Sequence, residues 1–375
     1  TRATIGRDRL AVWARLAARP MGIYLASRLV VLVAVWMTSR LNDPISIGSA
    51  LTGWDGGWYL AVAEHGYPHD LPPNSDTTDA DQTTAAFFPL YPLGIRAVGA
   101  LGFSPRMAGL IVAGVAGLVA VVLLWLLLER CWGSDAADRG VALFCFFPGA
   151  LVLSMVYAEP LMLALAAGCL LALLSRWWVT AGVLAGLATA TRPNALALVP
   201  ACAWAAGTAI RHRREWRALV APLLAPVGFV AFQVFLWVRT GYVDAWFRNQ
   251  RDGWEEQVNL AATWDKIDTF FRRPFDDVNI TVALAGTLFL AVALVVLIRA
   301  RPPGALLAYT LSVVVLALVS QTLGARPRFV LTAFPLVAVI GHRLRGMAFS
   351  VVLAGSATLL GGFTILSLAS HLATP

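Results

Sequence analysis

A chain of 375 residues with 59% hydrophobic and only 13% charged side chains cannot cover the surface of one water-soluble globule, because soluble domains of this size carry about 25% charge. Its apolar residues run in long blocks, which a bilayer solvates and water does not. The net charge of +8 comes almost wholly from arginine, with Lys266 the single lysine. The arginines cluster between apolar blocks without interleaved aromatics, so they mark cytoplasmic loops and exclude a nucleic-acid surface.

Residues 1–20 carry Arg2, Arg7, Arg9, Arg15 and Arg19 against Asp8 and predict a cytoplasmic amphipathic lead-in, with no cleavable signal peptide. The first span is predicted over 21–41, and Arg28 inside it should face protein. Residues 42–105 hold Asp43, Asp55, Glu64, Asp70, Asp76, Asp79 and Asp81 against Arg96 and predict an external loop with its own short helices. Its stretch 74–84 is a polar tip. Later apolar blocks at 107–128, 141–158, 160–175, 178–191, 194–210, 217–238, 279–298, 304–322, 329–342 and 347–370 bring the count to about eleven spans. That places the N-terminus inside and the C-terminus outside. Arg211, Arg213, Arg214, Arg217, Arg299, Arg301, Arg343 and Arg345 then fall inside. The loops around Glu159 and Arg192, the second loop 239–278, and the turn at Arg326 and Arg328 fall outside. The expected architecture is all-α: one integral membrane domain over 1–375, a polytopic bundle with a long external loop between its first two helices. Cys131, Cys145, Cys169 and Cys202 match no metal or redox spacing and read as free, buried thiols.

The densest polar and aromatic cluster is Trp54-Asp55-Gly56-Gly57-Trp58-Tyr59, followed by Glu64-His65-Gly66-Tyr67 and Phe87-Phe88-Pro89-Leu90-Tyr91-Pro92. Paired glycines beside an acid admit a close backbone or ligand. A carboxylate held against aromatic faces suits removal of a proton from a sugar hydroxyl. Taken singly, Trp58, Tyr59 and Phe87 read as an interfacial aromatic belt. Glu159 before Pro160 is either a charge at a helix N-terminus or a substrate contact. Arg192 before Pro193 either snorkels or reaches a lipid phosphate. Arg326 and Arg328 flank Pro327, where two guanidinium forks could hold a lipid-linked phosphate. His65 reads first as a surface residue and second as a phosphate or acceptor contact, and His212 and His342 have no specific role. In loop 239–278, Trp254-Glu255-Glu256 and Trp264-Asp265 form a solvated surface or an acceptor groove, with Asp265 the rival to Asp55 as base. No spacing marks a metal site, although Asp55 with Glu159 or Glu64 could hold a divalent ion.

These stretches, together with Tyr157-Ala158-Glu159-Pro160, Ala190-Thr191-Arg192-Pro193-Asn194-Ala195 and Arg326-Pro327-Arg328-Phe329 with Phe334-Pro335 after it, are spread in order over nearly the whole chain. The ordered set resembles the C-type glycosyltransferases and, more narrowly, the PIG-V-type family, which adds the second mannose in GPI-anchor assembly and has bacterial relatives. The resemblance implies transfer of mannose from a polyprenyl- or dolichyl-phosphate donor, with inversion and without a cofactor, at an external site of a bacterial plasma membrane. Asp55 is then the base, and Arg326, Arg328, Arg192 and His65 hold the donor phosphate. Trp54, Trp58, Tyr59, Glu64, Tyr67 and Glu159 contact the sugar or the acceptor, a glycolipid or glycan. The chain departs from eukaryotic members at 74–84 and in loop 239–278, so a GPI acceptor does not carry over. The rival readings are a lipid or solute transporter or flippase, and a C-type transferase for another sugar such as arabinose or glucose.

Overall fold

The computed structural model describes residues 2–41, 46–72, 81–322 and 324–369. The acids Asp43, Asp76 and Asp79 and most of the tip 74–84 lie outside the described residues. The chain opens with the long helix α1 (Arg2–Leu41), then α2 (Ile47–Ala50), α3 (Asp55–His65), a 3-10 turn at Thr84–Ala86 and α4 (Leu90–Gly99). Next come α5 (Pro105–Trp132), α6 (Ser134–Phe146), a 3-10 segment Pro148–Ser154, α7 (Glu159–Leu174) and α8 (Trp178–Thr189). The turn Pro193–Ala197 leads into α9 (Leu198–Arg213), followed by α10 (Val220–Leu224), α11 (Val227–Thr240), α12 (Ala245–Trp254) and α13 (Ala262–Arg272). The chain closes with α14 (Val278–Arg299), α15 (Gly304–Val319), α16 (Pro327–Thr332), α17 (Phe334–Arg343) and α18 (Gly346–Ala369). Among the described residues, extended pairing is confined to the bridge between Val258 and Ser320.

Six helical segments are long and apolar enough to cross a bilayer, or seven if α6 and Pro148–Ser154 count as one span bent by 78°. That is fewer than the eleven spans expected. The blocks 160–175, 178–191 and 304–322 are the shorter apolar helices α7, α8 and α15, and block 329–342 breaks at Ala333 into α16 and α17. Helix α7 needs no match to bilayer thickness, because most of its residues are buried between α5 and α8.

The bend after α6 explains the arginine inside the first span. Breaking a helix in an apolar medium strands its carbonyls, and each must find a donor. Arg28 donates to the carbonyl oxygens of Cys145 and Ala150 at 3.0 and 2.6 Å and to Ser154 Oγ at 2.9 Å. Ser356 Oγ on α18 donates to the Phe146 carbonyl at 3.0 Å. A buried charge in α1 thus stabilises a kink in α6, and Arg28 faces protein as its sequence context requires.

Close backbone contacts set the packing around that kink. A Cβ at Gly149 would stand 2.1 Å from the Pro327 carbonyl oxygen, so the 148–154 segment and the start of α16 touch through a hydrogen atom. Following the helices end to end gathers Arg130, Arg176, the 211–217 arginines, Arg299, Arg301, Arg343 and Arg345 at one end of the bundle. The other end carries α2 to α4, α12, α13 and the starts of α7 and α16.

Candidate active site

Each charged residue of the site sits where a short segment begins. Asp55 opens α3 and Glu159 opens α7, where the helix dipole favours an acid. Pro160, Pro193 and Pro327 each fall in the first turn of their segment, a position that costs no hydrogen bond. The residue before a proline is driven to extended backbone, as Arg192 shows with φ −157°. Charge beside proline therefore fixes Glu159, Arg192 and Arg328 at one end of the bundle without lengthening any helix.

Those charges meet. Arg328 Nη1 donates to Asp55 Oδ2 at 2.8 Å, and Arg192 Nη1 lies 2.8 Å from Glu159 Oε1 and 3.8 Å from Asp55 Oδ2. Arg192 also donates to the Tyr59 hydroxyl at 3.3 Å, and the Asp55 amide donates to the Tyr157 hydroxyl at 3.3 Å. The Arg328 guanidinium lies over the rings of Tyr157 and Phe329, at 5.7 and 4.9 Å. Burial disfavours the charged form of Arg192, but Glu159, Tyr59 and Asp55 outweigh it and raise its pKa. Arg328 likewise loses to burial and gains more from Asp55, so its pKa also rises. Burial and then the nearby Arg328 pull Arg326 down to about 10. Arg326 is thus the cation whose charge the surroundings support least.

Asp55, Tyr59, Tyr157 and the three arginines line a cavity of about 330 Å³. Phe87 and Trp254 form its aromatic wall, with rings 5.6 Å apart. Beside it runs an apolar groove of about 570 Å³ between α11, α12 and α15, and the two share Pro193, Asn194, Gln250, Glu256 and Phe329. Glu256 ties the rim together: its carboxylate accepts from Ser320 Oγ at 3.0 Å, from the Gln321 amide at 3.1 Å and from the Thr322 hydroxyl.

The remaining sequence candidates divide. Trp54 lines the cavity in a strained backbone, with φ 57°, and its indole donates to the Ser367 carbonyl at 3.3 Å. Trp58 stands behind the wall, stacked on Phe87 at 5.8 Å. Tyr67 donates to the Phe87 carbonyl at 2.8 Å and packs on Phe232, outside the cavity. Glu64 and His65 are exposed at the far end of α3, about 15 Å from Asp55 at 1.5 Å per residue; the structure does not bring them to the phosphate or sugar positions expected. Glu159 is 1% exposed and lies behind Arg192, so it positions that arginine and does not line the cavity. The space between Asp55 and Glu159, the pair that could have held a divalent ion, is bridged by the Arg192 guanidinium. Among the described residues, no group of three His, Cys, Asp or Glu side chains could hold a metal. Asp265 is exposed on α13, where Asn259 donates to it at 3.4 Å, away from the cavity. Of the glycines beside Asp55, Gly56 faces the Val156 carbonyl, which a Cβ would approach to 3.3 Å, and Gly57 is open.

Sequence reasoning gave Tyr157 no role of its own. Its place in the Tyr-Ala-Glu-Pro run was the available signal.

This helical architecture occurs in solved structures. ArnT from Cupriavidus metallidurans, in a structure bound to undecaprenyl phosphate, is similar with a TM-score of 0.54 at 15% identity, over 90% of this chain and 63% of that one. Its apo structure gives 0.53 at 16% identity, over 89% of this chain and 62% of ArnT. The chain thus shares the fold of ArnT and spans less than two thirds of ArnT's length. A sequence search of curated proteins finds no match. The model of Glycosyltransferase family 87 matches residues 83–321, well over half of the chain, and the chain belongs to that family. The matched stretch holds Glu159 and Arg192, while Asp55, Arg326 and Arg328 lie outside it.

Proposed function

We propose that this glycosyltransferase takes a sugar from a polyprenyl-phosphate carrier and passes it, with inversion, to a lipid-linked or glycan acceptor. By the sequence resemblance the sugar is mannose and the site faces outward from a bacterial plasma membrane, with the arginine-rich end cytoplasmic. One observation carries the reading: a cavity with three arginines and two carboxylates, Asp55 and the rim residue Glu256, opens into a larger apolar groove through shared walls. An amphiphile with an anionic head fits both parts at once, and the similar ArnT structure holds undecaprenyl phosphate.

In the proposed reaction, the donor phosphate enters among Arg192, Arg326 and Arg328 and competes with Asp55 for the Arg328 guanidinium. Asp55 is then free to accept the acceptor hydroxyl proton as that oxygen attacks the anomeric carbon. The sugar–phosphate bond breaks, and its electron pair leaves on the phosphate, which the arginines stabilise as charge develops. Because phosphate leaves as a stable anion, the step needs no acid for the leaving group. Glu159 holds Arg192 in place, and Tyr157 holds the backbone of Asp55.

Purified protein in lipid nanodiscs should transfer labelled mannose from polyprenyl-phosphate mannose to a bacterial lipid extract, and should transfer none from GDP-mannose. Transfer from GDP-mannose alone would overturn the donor assignment.

A further inference from the structure

We propose that α13 is an interfacial helix, lying flat in the headgroup boundary of the bilayer at the site end of the bundle. At about 100° per residue, its side chains fall into three sectors. Ala262, Thr263, Lys266 and Phe270 face the protein, with Thr263 Oγ1 donating to the Leu318 carbonyl at 2.8 Å and Lys266 Nζ to the Ser320 carbonyl at 2.9 Å. Asp265, Asp268, Thr269 and Arg272 occupy a second sector, where Arg272 and Asp268 pair at 2.7 Å. Trp264, Ile267 and Phe271 make the third. Trp264 and Phe271 are 70% and 76% exposed, and Phe275 beyond the helix is 73% exposed.

A helix at the edge of a soluble protein needs only two sectors, one for core and one for water. A third, apolar and exposed, needs a third medium. The chain supplies the reason to choose lipid. Asp277 caps α14 by accepting from the Asn279 amide at 2.7 Å. Helix α14 is a full-length span, and Phe275 comes only three residues before it. The same helix exposes Leu288 and Val292 about 15 and 21 Å further along its axis, so its start, beside α13, stands at the edge of the apolar layer those side chains need. The bonds to Leu318 and Ser320 strap α13 to the end of α15. Ser320 and Val258 line the apolar groove, so the helix holds the groove mouth at headgroup depth.

The test is depth-resolved quenching in nanodiscs, with Cys131→Ala removing the half-buried native thiol. An environment-sensitive fluorophore on Phe271→Cys should be quenched at least about fivefold more by a shallow spin-labelled phospholipid than by aqueous iodide. The same fluorophore on Asp268→Cys should show the reverse order. Equal iodide quenching at both positions would mean water covers the sector. A position-271 label shielded from both quenchers would mean protein covers it, such as a second copy of the chain. Either result overturns the proposal. Should the variants not fold, the unmodified protein can be crosslinked with a phospholipid bearing a diazirine near its carbonyls. Adducts on Trp264 and Phe271 are expected; their absence while the ends of the spanning helices are labelled overturns the proposal. Neither readout depends on transferase activity.

Discussion

At one end of the bundle Arg192 and Arg328 are buried against Glu159 and Asp55, while at the other Arg213, Arg217, Arg299 and Arg345 stand exposed. The residue type is the same and its cost is not. A buried guanidinium gives up its hydration and needs fixed partners, an acid at Arg192 and Arg328 or stranded carbonyls at Arg28, whereas an exposed one is solvated wherever it stands. Charge that the fold holds at such cost has a task, the bent backbone at Arg28 and the candidate site at Arg192 and Arg328, whereas charge left in water has no partner to position.

The contrast breaks if arginines and acids at the two ends prove equally dispensable. The largest effect should come from Asp55→Asn, which keeps shape and removes basicity. Turnover should fall about 10²–10⁴-fold, with donor binding changed far less. A variant that keeps more than about a tenth of wild-type turnover would remove Asp55 as base.

Next in size is Arg328→Ala. Losing one charge-assisted contact, worth about 1.5–3 kcal/mol, should weaken donor use roughly 10–100-fold. Lys should restore only part of it, because it lacks the planar fork. Glu159→Gln sharpens the comparison further, because it leaves Arg192 buried beside a neutral partner. Donor KM should rise, turnover should change less, and thermal stability should drop; a KM held at the wild-type value would show that Glu159 does not act through Arg192. Smallest of all should be the Arg213→Gln and Arg217→Gln pair, with turnover of correctly inserted protein staying within about twofold. A loss as large as that of Arg328→Ala would erase the distinction between the ends.

Much of the site is legible along the chain, because the charges sit beside prolines, glycines and aromatics that announce segment starts. Asp55, Arg192, Arg326 and Arg328 are singled out this way as candidates, and the fold brings them to one cavity. What the sequence cannot carry is which charge meets which: Asp55 and Arg328 are separated by 273 positions and meet only through the fold. Glu64 and His65 mislead for the opposite reason. They are close to Asp55 in sequence, yet α3 carries them away along its axis. Glu159 reads as a helix N-terminal charge or a substrate contact; it does open α7, but it is buried behind Arg192 because α7 sits inside the bundle. The bend after Phe146 leaves no strong signal either, since Pro148 is compatible with both a straight start and a kink. The spans themselves are legible as apolar blocks, but the short length of α7 follows from its burial between α5 and α8, which the sequence of the block does not carry.

Consider again the contact between Gly149 and the Pro327 carbonyl. It lies one residue from Arg328, on backbone that touches no substrate. A single methyl group at 149 would push that carbonyl away and carry the guanidinium off Asp55. The candidate site's dimensions are therefore kept in a gap one hydrogen wide, between two stretches of chain whose only business with each other is to touch.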